Sequence, residues 1–544
     1  MHHILVSDTL SEKGLALLRE KARVDYLPGL KPERLLEIIG RYDALIVRSG
    51  TKVTATVLEA GRNLKVVGRA GSGVDNIDVE KATERGIMVI NTPGANTIST
   101  AEHTVAMLTA LARNIPAAHN TYRSGSFQRD KFVGVELAGK KLGIIGLGRI
   151  GSEVARRARS MRMRLMAYDP YIAPERAEKM GVEPVALETL LREADFITLH
   201  VPLVAATRHM IGEKEFALMK PGVRLINCAR GGLVCEEALC RALEEGKVAG
   251  AALDVFENDN PRENRLFSMD NVIVTPHLGA STFEAQENVA VQVADQVLKA
   301  LQGEPVASAV NVPGFSDEVM AEVEPYLPLM HLLGSFLMQL FGGSVEEVEI
   351  HYSGEIAARP LAPLTTTCLI GILQTILGEQ ANYVNAPHLI KNRGIKVKEF
   401  STSSLKSYTN HVAVKVKSGE RAYTVAGTLL DENDIRIVQI NGYIMDVVPS
   451  RYMLITTHYD RPGVVGHVGT ILGSEKINIA GMQLGRQAIG GEAIMVIQVD
   501  VPVPQAVIEK INAFELMLST RFVELVGQDL IKRREKGTGP APSR

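Results

Sequence analysis

The sequence predicts an α/β protein with two doubly wound parallel sheets, followed by an α+β region and a small ferredoxin-like unit. Up to about residue 300, short apolar runs alternate with amphipathic helical patterns, as in parallel sheets that have helices on both faces. A glycine-rich turn directly follows one of these runs. Beyond residue 452 the elements follow a β-α-β-β order. The length of 544 residues fits roughly three to four domains.

The first alternating segment contains predicted strands at 4–6, 44–47, 65–68 and 88–90. A long apolar helix is predicted over 97–113. The second segment has predicted strands at 142–145, 164–168, 196–200, 224–227, 250–253 and 271–274. Residues 281–284 have capping-box spacing and open a helix toward Leu301, which we expect to cross back to the first segment.

These patterns predict five regions of the chain. We expect a discontinuous substrate-binding domain, a dinucleotide-binding domain, an intervening α+β domain with an apolar helix at 327–341, a small C-terminal domain and a disordered tail. Residues 311–314 are expected to form a linker. The expected bounds are 1–96 with 282–312 for the substrate-binding domain, 97–281 for the dinucleotide-binding domain and 317–450 for the intervening domain. They are 452–528 for the small C-terminal domain and 532–544 for the tail.

Composition excludes several classes of protein. The net charge of −2 and the absence of a long single-sign block before the tail argue against a generic nucleic-acid binder. Four cysteines without CxxC spacing predict no metal site or disulfide framework and favour a reducing, cytoplasmic setting. The first turns are charged, so no signal peptide is expected, and residues 327–341 are too short and polar to span a membrane.

Gly146, Gly148 and Gly151 form a GxGxxG motif between a predicted strand and a predicted helix. The first glycine allows a tight turn, the second lets backbone approach a pyrophosphate, and the third lets the helix pack on the strand. Asp169 ends the next apolar run, about 20 residues further on, where a carboxylate binds ribose hydroxyls and repels a 2′-phosphate. The sequence therefore predicts a Rossmann-like domain that binds NAD rather than NADP.

Ligands of open α/β sheets bind at the carboxyl ends of strands, so the residues that follow each strand are candidates for chemistry. An arginine (Arg230), a carboxylate (Asp259) and a histidine (His277) all follow strands of the second segment. Beside NAD these groups suit hydride transfer at a hydroxyl-bearing carbon, with imidazole as base and guanidinium as anion clamp. Each residue alone could instead be an ordinary loop or surface residue.

The motifs at 47–49, 68–76 (GRAGSGVDN), 146–151, 227–232 (NCARGG), 252–256 (ALDVF) and 276–281 (PHLGAS) resemble the D-isomer-specific 2-hydroxyacid dehydrogenase family. The resemblance is closest to its long-form phosphoglycerate branch and covers essentially the whole chain. It implies NAD-dependent oxidation of 3-phospho-D-glycerate to 3-phosphohydroxypyruvate, the first step of L-serine biosynthesis. It also implies a homodimer or homotetramer, with pairing through the region 97–113.

The resemblance assigns roles residue by residue. His277 matches the proton donor and acceptor and Arg230 the substrate-binding arginine, while the supporting glutamate falls on Asp259, one methylene shorter, with Glu257 as a possible substitute. Implied cofactor contacts are the three motif glycines with Arg149, Ile150, Asp169, Val201, Cys228, Ala229, Asp254, Gly279 and Ala280. Implied substrate contacts are Arg48, Arg69, Ser72, Gly73, Asn96, Arg129 and Lys131, of which the last two can reach a neighbouring subunit's site in the family.

The C-terminal unit resembles an ACT domain, an amino-acid-sensing module. His458, Asp460 and Asn478 fall at positions that bind serine in regulated relatives, so allosteric feedback by L-serine is expected. A dimerisation domain that has lost its ligand is the alternative.

Two other functions stay open. One is a different D-2-hydroxyacid dehydrogenase, such as a glyoxylate or hydroxypyruvate reductase, against which the extra basic residues and the sensor domain argue. The other is an NAD-sensing scaffold or corepressor without enzymatic activity, against which the presence of both Arg230 and His277 argues.

Overall fold

The computed structural model describes residues 1–258, 264–304, 306, 308–312, 317–404, 409–431 and 434–525. The predicted tail at 532–544 and the second half of the predicted linker, 313–314, lie outside these residues. The described chain forms four sheets, two of which are wholly parallel.

The first sheet is built from β1 (His3–Val6), α1 (Glu12–Lys21), β2 (Arg23–Tyr26), α2 (Pro32–Ile38), β3 (Ala44–Val47), α3 (Ala55–Ala60), β4 (Val66–Arg69), α4 (Val79–Glu84) and β5 (Met88–Ile90). Its parallel strands follow the order β2-β1-β3-β4-β5, which is the flavodoxin-like order of a doubly wound fold. The sequence did not predict β2. This strand lies at the sheet edge, where polar residues are tolerated, so it lacks the apolar run that marks a buried strand.

The second sheet and its helices comprise α5 (Thr97–Ala112), α6 (Ile115–Arg123), β6 (Lys141–Ile145), α7 (Arg149–Ser160), β7 (Arg164–Tyr168), α8 (Pro174–Lys179), β8 (Glu183–Pro184), α9 (Leu187–Glu193), β9 (Phe196–Leu199), α10 (Glu213–Leu218), β10 (Val223–Asn227), α11 (Glu236–Glu244), β11 (Val248–Leu253) and β12 (Val272–Val274). The next helix in the chain is α12 (Phe283–Gln302). The strand order is β12-β11-β10-β9-β6-β7-β8. The direction of winding reverses between β6 and β9, which is the switch point where such sheets bind nucleotides.

The helix α12 leaves the second sheet and packs on the first. Its Val293 and Val297 lie in one apolar cluster with Leu15 and Leu18 of α1. Gly14 allows this close approach, because a Cβ there would lie 2.7 Å from the carbonyl oxygen of Ala290. We call the first sheet with its helices the first lobe, and the second sheet with its helices the second lobe. The first lobe therefore receives α12 from a distant part of the chain.

The third sheet is mixed. Its elements are α13 (Asp317–Val323), α14 (Leu327–Phe341), β13 (Glu347–Gly354), α15 (Leu361–Leu377), α16 (Ala386–Asn392), β14 (Lys396–Thr402), β15 (Asn410–Ser418), β16 (Arg421–Leu429), β17 (Ile435–Ile440) and β18 (Tyr443–Val447). Strand β14 pairs parallel with β13, and the other neighbours pair antiparallel. The apolar helices α14 and α15 pack together against one face of the sheet.

The fourth sheet is antiparallel. It is formed by β19 (Tyr452–Tyr459), α17 (Val464–Ser474), β20 (Ile479–Arg486), β21 (Glu492–Val499), α18 (Gln505–Asn512) and β22 (Met517–Glu524), in the order β20-β21-β19-β22. One face is covered by α17 and α18. The other packs on α14, where Met453, Ile455 and Val523 share a core with Leu337 and Phe341. The third and fourth sheets therefore form one packed unit.

This architecture confirms the predicted fold class, with two Rossmann-like sheets, an α+β region and a ferredoxin-like unit. Short 3₁₀ segments at Ile39–Arg41, Arg129–Phe132, Arg265–Ser268, Glu324–Tyr326, Glu355–Ala358 and Gly378–Gln380 complete the described elements. Within the described ranges, none of the helices combines the length and the apolar character needed to cross a membrane.

Candidate active site

A cleft of about 1030 Å³ lies between the first and second sheets. The loops that follow β1, β3, β4 and β5 line one side, and the loops that follow β9, β10 and β12, together with Ile150 of α7, line the other. All of these loops start at the carboxyl ends of parallel strands, where open α/β sheets bind their ligands. The cleft is therefore the candidate active site.

The three motif glycines differ in what surrounds them. Gly146 has a φ of +92°, and a Cβ there would lie 2.6 Å from the carbonyl oxygen of His200. A Cβ on Gly151 would lie 2.1 Å from the carbonyl oxygen of Gly146, so only glycine lets α7 begin this close to β6. Around Gly148 there is no heavy atom within 4 Å of the Cβ position. The open side of the turn fits the close approach of a pyrophosphate to backbone N–H groups.

Asp169 follows β7 and lies against the glycine turn. Its Oδ2 accepts a hydrogen bond from the N–H of Leu147 at 2.8 Å, and its Oδ1 accepts one from the N–H of Tyr171 at 2.9 Å. A carboxylate retains further acceptor sites after these two bonds. The arrangement fits binding of the ribose hydroxyls of NAD.

The remaining predicted cofactor residues are distributed around the second side of the cleft. Arg149 lies at the exposed start of α7, and Asp254 lies buried behind the loop that carries His277. Burial and the nearby carboxylate of Asp254 raise the pKa of Cys228 to about 12, so this thiol is neutral. Cys228 therefore lines the cleft without acting as a nucleophile. The predicted residues that line the cleft itself are Ile150, Val201, Cys228, Ala229, Gly279 and Ala280.

Asp254 holds the loop that follows β12. Its carboxylate accepts hydrogen bonds from the N–H groups of Leu278 at 2.7 Å and Gly279 at 2.8 Å, and from Oγ1 of Thr275 at 2.6 Å. The ring of His103 lies 3.2 Å away. Burial acts to raise the pKa of Asp254, but these hydrogen bonds outweigh it and hold the pKa below its usual value. The charged carboxylate thereby fixes the loop.

His277 lines the cleft from this loop. Its φ of +56° is uncommon for a residue other than glycine, and its N–H donates to the carbonyl oxygen of Asp254 at 2.9 Å. The predicted supporting residue Asp259 lies outside the described residues. The alternative, Glu257, has its Oε1 3.0 Å from Nε2 of His209, so its carboxylate is engaged by a different histidine.

Arg230 spans the cleft from the loop after β10. Asn227 fixes this loop by donating to the carbonyl oxygen of Arg230 at 2.9 Å and accepting the N–H of Ala229 at 3.0 Å. The guanidinium donates through Nε to Oδ2 of Asp75, in the first lobe, at 2.8 Å. Its Nη2 lies against Gly73, where a Cβ would be 1.9 Å from it. The guanidinium is thus next to the backbone that is predicted to bind the substrate carboxylate.

Arg48, Arg69 and Arg230 all line the cleft. Burial, and then the guanidinium groups of Arg230 and Arg48, lower the pKa of Arg69 to about 10, which leaves it protonated at neutral pH. Nη1 of Arg69 donates to the carbonyl oxygen of Ala70 at 2.9 Å, while its Nε is buried without a hydrogen-bond partner in the described structure. Three clustered cations fit a substrate with more than one negative charge.

The loop after β4 is held at two points. Oγ of Ser72 donates to Oδ1 of Asn96 at 2.8 Å, and Nδ2 of Asn91 donates to the carbonyl oxygen of Ser72 at 2.6 Å. Ser72, Gly73 and Asn96 all line the cleft. The structure therefore brings together five of the seven predicted substrate residues.

Arg129 and Lys131 do not belong to this group. They lie in the 3₁₀ segment Arg129–Phe132, where both side chains are exposed and Nζ of Lys131 is 3.9 Å from Asp270. Neither residue lines the cleft.

The predicted effector residues lie at two separate places within one chain. Asp460 lies at the end of β19, where its Oδ2 accepts the N–H of Gly490 at 3.3 Å, and His458 is buried nearby in the same strand. Asn478 lies before β20 and donates to Asp500 at 2.6 Å, at the opposite end of the sheet. Eight residues of β19 separate the two ends, which is about 25 Å at the rise of a strand.

Four residues that hold the site were missed by the sequence analysis. Asp8 accepts the N–H of Arg48 at 2.6 Å, and Asn227 fixes the loop that carries Arg230. Asp75 contacts Arg230, and His103 contacts Asp254. Asp75 and Asn227 fall inside motifs that the sequence analysis quoted, whereas Asp8 and His103 carry no local signal. Among the residues that the structure describes, no three His, Cys, Asp or Glu side chains are grouped to hold a metal ion.

Comparison with known proteins matches three regions to described families. Residues 105–279 match the NAD-binding domain of D-isomer-specific 2-hydroxyacid dehydrogenases. Residues 322–441 match the D-3-phosphoglycerate dehydrogenase intervening domain, and residues 452–516 match the ACT domain.

Curated relatives match almost the whole chain. The D-3-phosphoglycerate dehydrogenase of Methanocaldococcus jannaschii is 48% identical over 94% of this chain and 98% of its own. That of Bacillus subtilis is 44% identical over 96% of this chain and 100% of its own.

Solved structures match just over half of the chain. A glyoxylate reductase from Paecilomyes thermophila has a TM-score of 0.53 at 33% identity and covers 57% of this chain and 98% of its own. A D-lactate dehydrogenase from Aquifex aeolicus, complexed with NAD and lactic acid, has a TM-score of 0.51 at 30% identity and covers 55% and 96%. The matched domains and the near full-length relatives, together with the two-lobed cleft, show that the chain belongs to the D-3-phosphoglycerate dehydrogenase family.

Proposed function

We propose that the chain catalyses the NAD-dependent oxidation of 3-phospho-D-glycerate to 3-phosphohydroxypyruvate, the first step of L-serine biosynthesis. The observation that carries this proposal is the convergence of Arg48, Arg69 and Arg230 on one cleft beside the dinucleotide-binding turn. A carboxylate alone needs one such clamp, whereas a phosphorylated carboxylate carries about three negative charges and uses all of them.

NAD supplies the hydride acceptor. His277 accepts the hydroxyl proton as the C–H bond of the substrate gives up its hydride and the carbonyl forms, and it returns the proton in the reverse reaction. Arg230 and the backbone of Ser72 and Gly73 hold the carboxylate, while Arg48 and Arg69 hold the phosphate. Support of the His277 imidazole by Asp259 stays a prediction.

Activity is tested by NADH absorbance with 3-phosphohydroxypyruvate, hydroxypyruvate and glyoxylate. In Arg48→Ala we expect kcat/KM for the phosphorylated substrate to fall about 10- to 100-fold, as one lost charge-assisted contact predicts, with little change for hydroxypyruvate. Arg34→Ala, at an exposed arginine paired with Glu37, is the matched control. Equal losses for both substrates would contradict a phosphate-binding role for Arg48.

The same assay separates the alternatives. Wild-type turnover of glyoxylate or hydroxypyruvate that equals turnover of the phosphorylated substrate would indicate a different D-2-hydroxyacid dehydrogenase. No NADH oxidation with any of the three would favour the NAD-sensing scaffold.

We further propose that L-serine binds the ACT domain and inhibits. Since Asp460 and Asn478 lie at opposite ends of one sheet, a site that uses both is formed by two copies of the chain. Removing residues 452–544 would expose the apolar face of α14, so the point variant Asp460→Ala is the better test. Serine inhibition that persists unchanged in Asp460→Ala would contradict this site.

A homodimer or homotetramer is proposed on independent grounds. The helix α6 buries none of its residues, and Ile115, Tyr122 and Phe127 leave apolar side chains exposed beside α5. We also propose the domain bounds 1–96 with 282–312, 97–281, 317–450 and 452–528, and a cytoplasmic setting. Light scattering of the purified chain tests the assembly, and a monomer at micromolar concentration would contradict it.

A further inference from the structure

Asp75 is the first-lobe residue that holds the guanidinium of Arg230. The two residues belong to opposite lobes, and Oδ2 of Asp75 accepts the Nε–H of Arg230 at 2.8 Å across the cleft. Asp75 is exposed, with 53% of its side-chain surface accessible, whereas Arg230 is half-buried, with 29% accessible. The ion pair is therefore open to water on the Asp75 side, and its contribution is to the orientation of the guanidinium more than to stability.

The contact fixes which edge of the guanidinium faces the substrate. Nε donates to Asp75, and one N–H of Nη1 donates to the carbonyl oxygen of Ala229 at 2.6 Å. The remaining N–H groups belong to Nη1 and Nη2, and Nη2 lies directly against Gly73. A planar guanidinium that is held at these two points has lost its freedom to rotate, and it presents its outer edge beside the backbone of Ser72 and Gly73.

Asp75 also balances charge. Arg230 and Arg48 both act to lower the pKa of Arg69, whereas Asp75 and Asp8 act to raise it. The two carboxylates therefore offset the repulsion among three clustered cations. Asp8 is already bound to the N–H of Arg48 and to Thr51, which leaves Asp75 as the carboxylate that contacts Arg230.

We propose that Asp75 is a positioning residue that orients Arg230 across the cleft for the substrate carboxylate. This inference rests on the proposed function of Arg230 as the carboxylate clamp, and it adds that the clamp is set by the opposite lobe. Asp75 acts through the Nε–H of Arg230.

The test is a double-mutant cycle with Asp75→Ala and Arg230→Ala, assayed with 3-phosphohydroxypyruvate and NADH. We expect Asp75→Ala alone to lower kcat/KM about 10- to 100-fold, with a raised KM and a lowered kcat. In the Arg230→Ala background, Asp75→Ala is expected to lower kcat/KM less than about threefold, because the effects of two residues that act through one contact are not additive. Asp75→Asn keeps an oxygen acceptor for the Nε–H, so we expect it to restore part of the activity.

Asp78→Asn is the matched control. Asp78 lies three residues away in the same loop, caps α4 through the N–H of Lys81 at 2.9 Å, and is expected to leave kcat/KM unchanged when replaced by asparagine. NADH affinity and the midpoint of thermal unfolding of Asp75→Ala should match those of the wild type. Additive effects in the cycle, or full activity of Asp75→Ala, would overturn the inference.

The outcome is distinguishable from a failure of the proposed function. Should the wild type prefer glyoxylate or hydroxypyruvate, the substrate assignment fails, but both still carry a carboxylate for Arg230. The cycle is then run with that substrate, and the same loss of additivity is expected. Additivity with the preferred substrate overturns the role of Asp75 whatever the substrate is.

Discussion

Replacement of Asp169 by alanine tests the cofactor site most directly. The carboxylate accepts N–H groups from Leu147 and Tyr171, and ribose hydroxyls would take its remaining acceptor sites. Loss of charge-assisted bonds to the ribose costs about 1.5–3 kcal/mol, which predicts a Kd for NADH roughly 10- to 150-fold higher. The Kd for NADPH should stay equal or fall, because a 2′-phosphate no longer meets a carboxylate.

The same substitution also affects the glycine turn. Leu147 is 2% exposed, so its N–H loses a buried acceptor, at a cost of about 1–3 kcal/mol in unfolding free energy. Asp169→Asn separates the two effects, since it keeps an oxygen for Leu147 but removes the charge. Binding is measured by NADH and NADPH fluorescence titration. An NADH affinity that is unchanged in Asp169→Ala, with preference over NADPH intact, would refute the assignment.

Three further predictions follow from the site. His277→Ala should lose most of its turnover but keep its affinity for NADH, measured by fluorescence titration. His277→Asn is the control for backbone strain, because asparagine tolerates the left-handed conformation of this residue. Intact turnover in either variant would show that His277 is not the base. Gly151→Ala should lower the free energy of unfolding in urea by about 1–3 kcal/mol, because a Cβ at this position has no room. Gly148→Ala should fold normally but bind NADH more weakly, because its Cβ position is open. Equal stability of the two variants would contradict the close packing of α7 on β6 at Gly151. Burial lowers the pKa of His200 to about 4, so the unfolded chain binds a proton at a higher pH than the folded chain does. The free energy of unfolding should therefore be highest above pH 6.5 and fall by at most about 3 kcal/mol toward pH 4. A His200→Gln variant that loses stability with the same pH slope would contradict this prediction.

The elements that repeat a local pattern could be predicted from the sequence. Buried strands such as β3 and β9 are continuous apolar runs, and the glycine motif requires a strand, a turn and a helix in fixed order. The edge strand β2 escaped prediction because an edge strand with only one neighbour need not be apolar. The strand-end rule also placed Arg230 and His277 on loops that line the cleft, since it depends only on chain direction.

The residues that hold these side chains could not be predicted, because their partners are distant in the chain. Asp75 meets Arg230 and His103 meets Asp254 only after two lobes and a long helix have packed. Packing also places Asp460 and Asn478 at opposite ends of a sheet, although both lie near turns of one small unit.

The fold class, the dinucleotide turn and the types of the candidate catalytic residues can be read from the sequence, because periodicity and glycine placement are local properties of the chain. Three other features appear only in the folded protein: three arginines line one cleft, a first-lobe carboxylate holds Arg230, and the third and fourth sheets share a core. These features are contacts between segments far apart in sequence, and only the packing of whole lobes sets their distances.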